Sequence, residues 1–215
     1  MNRLSELPNL SEEELIDELK KVSSHFTFMD QAKTVLASSY VGEFLKNEIS
    51  TSVTFFGGTF NPIHQGHLEC LRLCPEKNIV MVLDRNPQKE IRSIDYFAEL
   101  KTILKAVENT RYHVYPGFWL AEKKNPTNEW IMKVTIPEVN LLMGDDSFIN
   151  FFNWIKPDVI LKRLSKIYVV PRNHQLVHLG LVRDRCLSVN PNLEVIFLSH
   201  HQYQNLSSTE LRSKK

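Results

Sequence analysis

The spacing of apolar positions changes near residue 51. Before it, Leu15, Ile16, Leu19 and Val22 recur at helical intervals behind Ser11-Glu12-Glu13-Glu14, where a serine and a glutamate three residues apart can cap each other. A second helix is predicted from about residue 30 to 44 or 49, with Val35, Leu36 and Tyr40 on its apolar side. From Ser52 onward, short runs rich in β-branched and aromatic residues alternate with helical ones. Strands are predicted at 52–56, 78–83, 139–143, 166–170 and 193–198, and helices at 67–73, 94–107 and 147–152. The continuous apolar character of 78–83 suits a strand covered on both faces. The alternation predicts an α/β fold, a doubly wound parallel sheet over residues 51–215, with a helical extension over residues 1–50.

In such sheets ligands bind beyond the carboxyl ends of the strands, so the residues after each run carry the candidate chemistry. After the first strand comes Gly57-Gly58-Thr59-Phe60-Asn61-Pro62-Ile63-His64-Gln65-Gly66-His67-Leu68. The double glycine is expected to end the strand, and Gly66 to open a helix whose buried stripe is Leu68, Leu71 and Leu73. The start of a helix presents unpaired N–H groups and partial positive charge, which favours a phosphate there. His64 and His67 flank that position. They lack a third ligand at a familiar spacing, which ranks phosphate binding above metal binding. Gly144-Asp145-Asp146-Ser147 follows a later strand, and its carboxylates suit either a ligand loop or a helix cap.

Composition bounds this picture without choosing among chemistries. The 215 residues are 42% apolar and 24% charged, ordinary for a globular protein. No apolar run is long enough to span a bilayer and no signal-peptide core is present, so a cytoplasmic location without membrane association is expected. Cys70, Cys74 and Cys186 lack CxxC spacing, which predicts reduced thiols. Lys and Arg outnumber Asp and Glu by 10 to 4 in residues 151–215. That balance suits an anionic ligand, but without long basic runs and interleaved aromatics no nucleic-acid partner is expected. Homo-oligomer formation is compatible with the sequence.

The run GGTFNPIHQGHL resembles the GGTFDPIHxGHL signature of the nicotinate or nicotinamide mononucleotide adenylyltransferases, within the HxGH nucleotidylyltransferase superfamily. The resemblance implies a Rossmann-like sheet and an enzyme that moves AMP from ATP to a pyridine mononucleotide, forming the dinucleotide and pyrophosphate. It assigns catalysis to His64 and His67, and ATP contacts to Gly57, Gly58, Thr59, Phe60 and Gly66. LLMGDDSFINFFNW resembles the family's GxDS segment followed by a tryptophan, which implies nucleotide contacts at Gly144 and Asp146 and a pyridine-stacking face at Trp154. NLSSTELR resembles ISSTxIR, implying that Ser207, Ser208, Thr209 and Arg212 hold the β- and γ-phosphates. Lys89, in a segment similar to the family's PPHK loop, is a further implied phosphate contact. Thr127 and Arg172 are implied on the acceptor side. Magnesium is expected with ATP, bound through phosphate oxygens and water rather than by protein ligands.

The sequence departs from the pattern at Asn61, which replaces an aspartate, at Gln88, which replaces a histidine, and at Pro126 and Trp130 in the acceptor loop. Two other functions share the same residues: a sister HxGH transferase with another phosphorylated acceptor, and a catalytically weak nucleotide-binding or regulatory protein on the same fold. Family members commonly continue beyond the ISSTxIR motif. The helices within residues 1–50 are expected to cover the surface such a tail would occupy.

Overall fold

The structure is a computed structural model that describes residues 51–83, 96–108, 110–115, 127–134, 136–172 and 176–206, together with Ser11, Glu13, Glu14, Ser208 and Leu211. The predicted cap near the N-terminus is present. The Ser11 amide and hydroxyl both donate to Glu14 Oε2 at 2.8 Å, and the Glu14 amide donates back to Ser11 Oγ at 3.3 Å. The amide and hydroxyl of Ser11 hold the Glu14 carboxyl below its ordinary range. The second predicted helix, and the surface that residues 1–50 were expected to cover, lie outside the described residues.

Six strands form one parallel sheet: β1 (Ser52–Gly58), β2 (Ile79–Leu83), β3 (Tyr112–Tyr115), β4 (Glu138–Gly144), β5 (Lys166–Val170) and β6 (Glu194–Phe197). Their spatial order is β3-β2-β1-β4-β5-β6. This is the doubly wound Rossmann-like order, and the direction of winding reverses between β1 and β4. All five residues of β2 are buried, as a strand with helices on both faces requires.

Alternate residues of each strand feed two separate cores. Val53, Phe55, Val139, Leu141, Ile167 and Val169 pack on one face. Phe56, Ile79, Met81, Leu142, Tyr168 and Val170 pack on the other. The second face is covered by α1 (Gln65–Leu73) and α2 (Tyr96–Ala106), which bury Cys70, Leu71, Leu100, Ile103 and Leu104 there. The first face is covered by the short α3 (Thr127–Trp130), α4 (Asp145–Ile149), α5 (Pro157–Arg163) and α6 (Leu176–Val189), which contribute Trp130, Phe148, Ile160, Leu161, Leu179 and Cys186. All three cysteines are free and buried. Among the described residues no helix is long and apolar enough to cross a membrane.

Several local expectations are corrected. Gly57 and Gly58 belong to β1, where they pair with Val82 and Leu83, so the strand ends after the double glycine rather than before it. α1 starts at Gln65 with His64 as its N-cap, and Gly66 therefore sits inside the first turn. The helix predicted at 147–152 is the one-turn α4 followed by a 3-10 turn at Phe151–Asn153. β3, α3, α5 and α6 were not predicted. α6 has no single apolar stripe: Val177 and Leu181 are exposed while Leu179 and Cys186 are buried, so its period is hidden. Truncating Leu71, fully buried under the sheet, tests the packing of α1. Leu71→Ala is expected to lower unfolding free energy by about 2–5 kcal/mol, read from urea denaturation.

Candidate functional site at the helix start after the first strand

The carboxyl ends of β1 and β4 open onto the start of α1. The chain reaches that helix through a tight turn in which Phe60 adopts a positive φ of 48° and the Asn61–Pro62 peptide is cis. The Phe60 ring lies over Gly58, where an added Cβ would come within 3.1 Å of it. Phe60 is buried, edge-on to both Phe56 at 5.1 Å and His67 at 5.0 Å. Its side chain therefore supports the His67 ring from beneath, and only its backbone is left to face a ligand. Beside it, a Cβ on Gly57 would meet nothing within 4 Å, so the strand end is open there.

His64 and His67 act as a pair. Their rings stack with centroids 3.8 Å apart. The His64 amide donates to His67 Nδ1 at 3.3 Å, and the His64 carbonyl accepts from the His67 amide at 2.9 Å. Because Nδ1 of His67 accepts, a neutral His67 carries its proton on Nε2, which makes that atom a donor. His64 Nδ1 is buried without a hydrogen bond of good geometry. Burial, then the charges of Arg172 and His201, hold the His64 pKa down to about 4. A largely uncharged His64 and the His67 ring stacked on it thus flank the partial positive charge of the helix start.

Gly66 carries the closest constraint in the site. A Cβ there would stand 3.0 Å from the His64 ring and 3.1 Å from the Tyr203 carbonyl oxygen. The segment after β6 consequently packs directly on the first turn of α1. Ser208 Oγ donates to the Pro62 carbonyl at 3.1 Å and fastens the same segment to the turn. Arg172, after β5, fastens it from the other side: its Nε donates to the Gln204 carbonyl at 3.2 Å and a terminal nitrogen donates to the Leu206 carbonyl.

The two adjacent aspartates divide their roles. Asp145 is fully buried and its Oδ2 accepts from the Arg172 amide at 2.7 Å. Asp146 is exposed, and its carboxylate folds over Gly144, where an added Cβ would come within 2.7 Å of Oδ1 and 3.7 Å of Arg172 Cδ. Gly144, Asp146 and Arg172 therefore converge at the end of β4, beside the crevice.

Of the other sequence candidates, Thr59 is partly buried in the turn after β1, and Thr127 is partly buried at the start of α3. Trp154 is partly buried after the 3-10 turn, with its ring 5.0 Å from that of Phe151. Trp130, one of the two residues that depart from the family's acceptor loop, is core: its ring meets Phe55 edge-on at 4.9 Å, while Pro126 lies outside the described residues. Lys89, Ser207, Thr209 and Arg212 lie outside the described residues. His201 and Tyr203 were missed by sequence reasoning, although both stand just past the carboxyl end of β6, where the strand-end rule points, and Asp145 was read only as one of two carboxylates suited to a ligand loop or a helix cap. Among the described residues no three His, Cys, Asp or Glu side chains are grouped to hold a metal ion.

A parallel sheet in this order, with a histidine-flanked helix start at its switch point, defines a doubly wound nucleotide-binding protein. A family model described as cytidylyltransferase-like matches residues 55–214. The chain belongs to this nucleotidyltransferase family. It is similar to three proteins each named probable nicotinate-nucleotide adenylyltransferase. The one from Pelagibacter ubique is 27% identical, with 77% of this chain and 94% of that protein covered. The one from Caldicellulosiruptor bescii is 28% identical over 74% and 84%. The one from Aquifex aeolicus is 28% identical over 72% and 98%.

Arg172→Ala removes both guanidinium contacts to the C-terminal segment while leaving the Arg172 amide to Asp145. Amide hydrogen exchange at residues 203–206 is expected to accelerate at least about tenfold, as the loss of roughly 1.5 kcal/mol or more of local stability implies. Unchanged exchange there would show that the segment is held without Arg172.

Proposed function

We propose that the chain transfers AMP from ATP to the 5′-phosphate of nicotinate or nicotinamide mononucleotide. An oxygen of the acceptor phosphate attacks the α-phosphorus, the bond from that phosphorus to the bridging oxygen of the β-phosphate breaks, and pyrophosphate leaves with the electron pair. The acceptor is already an anion, so no general base is required. Rate enhancement comes from aligning the two substrates and from stabilising the charge that builds on the α-phosphate. In this reading the α1 amides and His67 Nε2–H supply donors to that phosphate, and His64 completes the pair. Gly144 and Asp146 contact the nucleotide, and Trp154 offers an aromatic face to the pyridine ring. Lys89, Ser207, Ser208, Thr209 and Arg212 are assigned to the phosphates by the motif resemblance, with Thr127 and Arg172 on the acceptor side. Magnesium would enter with ATP, neutralising its phosphates through phosphate and water oxygens.

The observation that carries the proposal is the stacked His64–His67 pair at the α1 start, with the proton of neutral His67 directed to Nε2. The names of the similar proteins support the pyridine acceptor. A second reading, ATP binding with weak turnover, is favoured by Trp130, whose burial against Phe55 substitutes an apolar anchor for the family's polar acceptor-loop residue.

Incubation with ATP, magnesium and each mononucleotide separately, followed for pyrophosphate and dinucleotide, tests the proposal. His67→Ala is expected to lower kcat by about 100- to 1000-fold with folding retained. A wild-type protein that makes neither product with either acceptor would overturn it.

Binding should also depend on pH. In the free protein His64 is neutral above about pH 4. A polyphosphate placed against it favours the charged form and raises that pKa, so binding takes up protons. ATP affinity is therefore expected to rise as pH falls through the raised bound-state pKa toward about 4, with proton uptake visible by calorimetry in buffers of different ionisation enthalpy. Affinity independent of pH would contradict contact between the phosphates and His64.

A further inference from the structure

His201 stands four residues past the carboxyl end of β6, in the segment that packs on the α1 start. Its Nδ1 accepts from the Tyr203 amide at 3.1 Å. A neutral His201 therefore carries its proton on Nε2. That nitrogen is buried and has no hydrogen-bond partner among the described residues. A buried N–H without an acceptor costs stability, so a donor held there in a fixed tautomer calls for a ligand atom.

The surroundings indicate what kind of atom. Tyr203, two residues on, brings its carbonyl to the Gly66 backbone, beside the His64 ring. The electrostatic neighbours of His201 are Glu69 and Arg72 on α1, Arg172 after β5, and His200 on its own segment. Glu69 is already paired with Arg72 at 2.7 Å. With Glu69 so paired, Arg172 and the partial positive charge of the helix start offer an anion complementary charge. The charge of His201 also acts on His64.

We propose that His201 Nε2–H is a further contact for the polyphosphate of the nucleoside triphosphate, donating to an oxygen at the pyrophosphate end of the chain. The inference rests on the adenylyl-transfer reading for the identity of the anion, and it adds a residue that neither the HxGH nor the SSTxIR-like motif contains. His201 thereby links the segment after β6 to the ligand as well as to α1. It makes no bond to the reacting phosphorus and binds the leaving group in the ground state and the transition state alike. Its loss should consequently appear in KM for ATP rather than in kcat.

Two substitutions separate the ligand contact from the turn that Nδ1 stabilises. In His201→Asn the side-chain oxygen can occupy the Nδ1 position and accept from the Tyr203 amide, but the distal donor is gone. In His201→Gln the amide nitrogen reaches the Nε2 position while the turn contact is lost. Binding of inorganic pyrophosphate, and of ATP without acceptor, is measured by calorimetry alongside Tm and steady-state kinetics. His201→Asn is expected to keep the wild-type Tm and to weaken both ligands about tenfold, with KM for ATP rising to match and kcat nearly unchanged. His201→Gln is expected to restore affinity to within about threefold at a lowered Tm. Wild-type affinity in the Asn variant, a Gln variant that binds no better than the Asn variant, or a wild-type protein that binds neither pyrophosphate nor ATP would overturn the proposal. Because these are binding measurements without acceptor, failure to form dinucleotide would sink the adenylyl-transfer reading and leave the His201 contact standing on its own result.

Discussion

The first turn of α1 and the segment after β6 meet at a point where no side chain fits. A Cβ on Gly66 would press on the His64 ring at 3.0 Å and on the Tyr203 carbonyl at 3.1 Å, and the second of these is backbone that cannot rotate away. With glycine there, the last strand's continuation can roof the helix start, and His64 is pinned between its own helix and that roof. The neutral state of His64, the stacking of His67 upon it, and the position of Tyr203 and hence His201 all follow from this contact. Partial positive charge on the helix start is general to helices. What distinguishes this one is that two imidazoles and a loop have been packed around it, with His64 Nδ1 and His201 Nε2 left without a hydrogen-bond partner among the described residues.

Holding the roof in place is the task of a second set of residues. Asp145 is fully buried and takes the Arg172 amide, which fixes the chain just beyond β5. The Arg172 guanidinium then spans two carbonyls of the roofing segment, at Gln204 and Leu206, and its forked donors suit that geometry better than the point charge of a lysine. The same guanidinium lowers the pKa of His64 and of His201. Arg172 thus couples the mechanical arrangement of the site to its charge: it holds the roofing segment and adds to burial in disfavouring the charged imidazoles.

The sequence made the sheet legible because five of its six strands are mostly apolar runs, four of them rich in β-branched or aromatic residues, as burial on both faces demands. β3 was missed because Tyr112-His113-Val114-Tyr115 is only four residues long, with a histidine inside it. α6 was missed because apolar residues lie around its circumference. The HxGH turn was visible as a spacing of glycines and histidines, but the exact start of α1 was not, since glycine reads as a helix boundary and here sits inside the helix to permit a tertiary contact. The adjacent aspartates could not be told apart from sequence: the difference between them is that one side chain points into the core beneath Arg172 and the other lies over Gly144. His201 carried no motif at all, and only its position after a strand end marked it.

Direct transfer between two bound substrates is the central claim, and it assigns the histidines to stabilising charge and not to forming a bond to phosphorus. The stereochemical course at the α-phosphorus tests this most directly. ATP carrying sulfur at one diastereotopic α-oxygen is incubated with a mononucleotide, and the configuration of the resulting dinucleotide is determined by phosphorus NMR. A single in-line displacement predicts inversion. Retention would require two displacements through a covalent enzyme–AMP intermediate and would contradict the account.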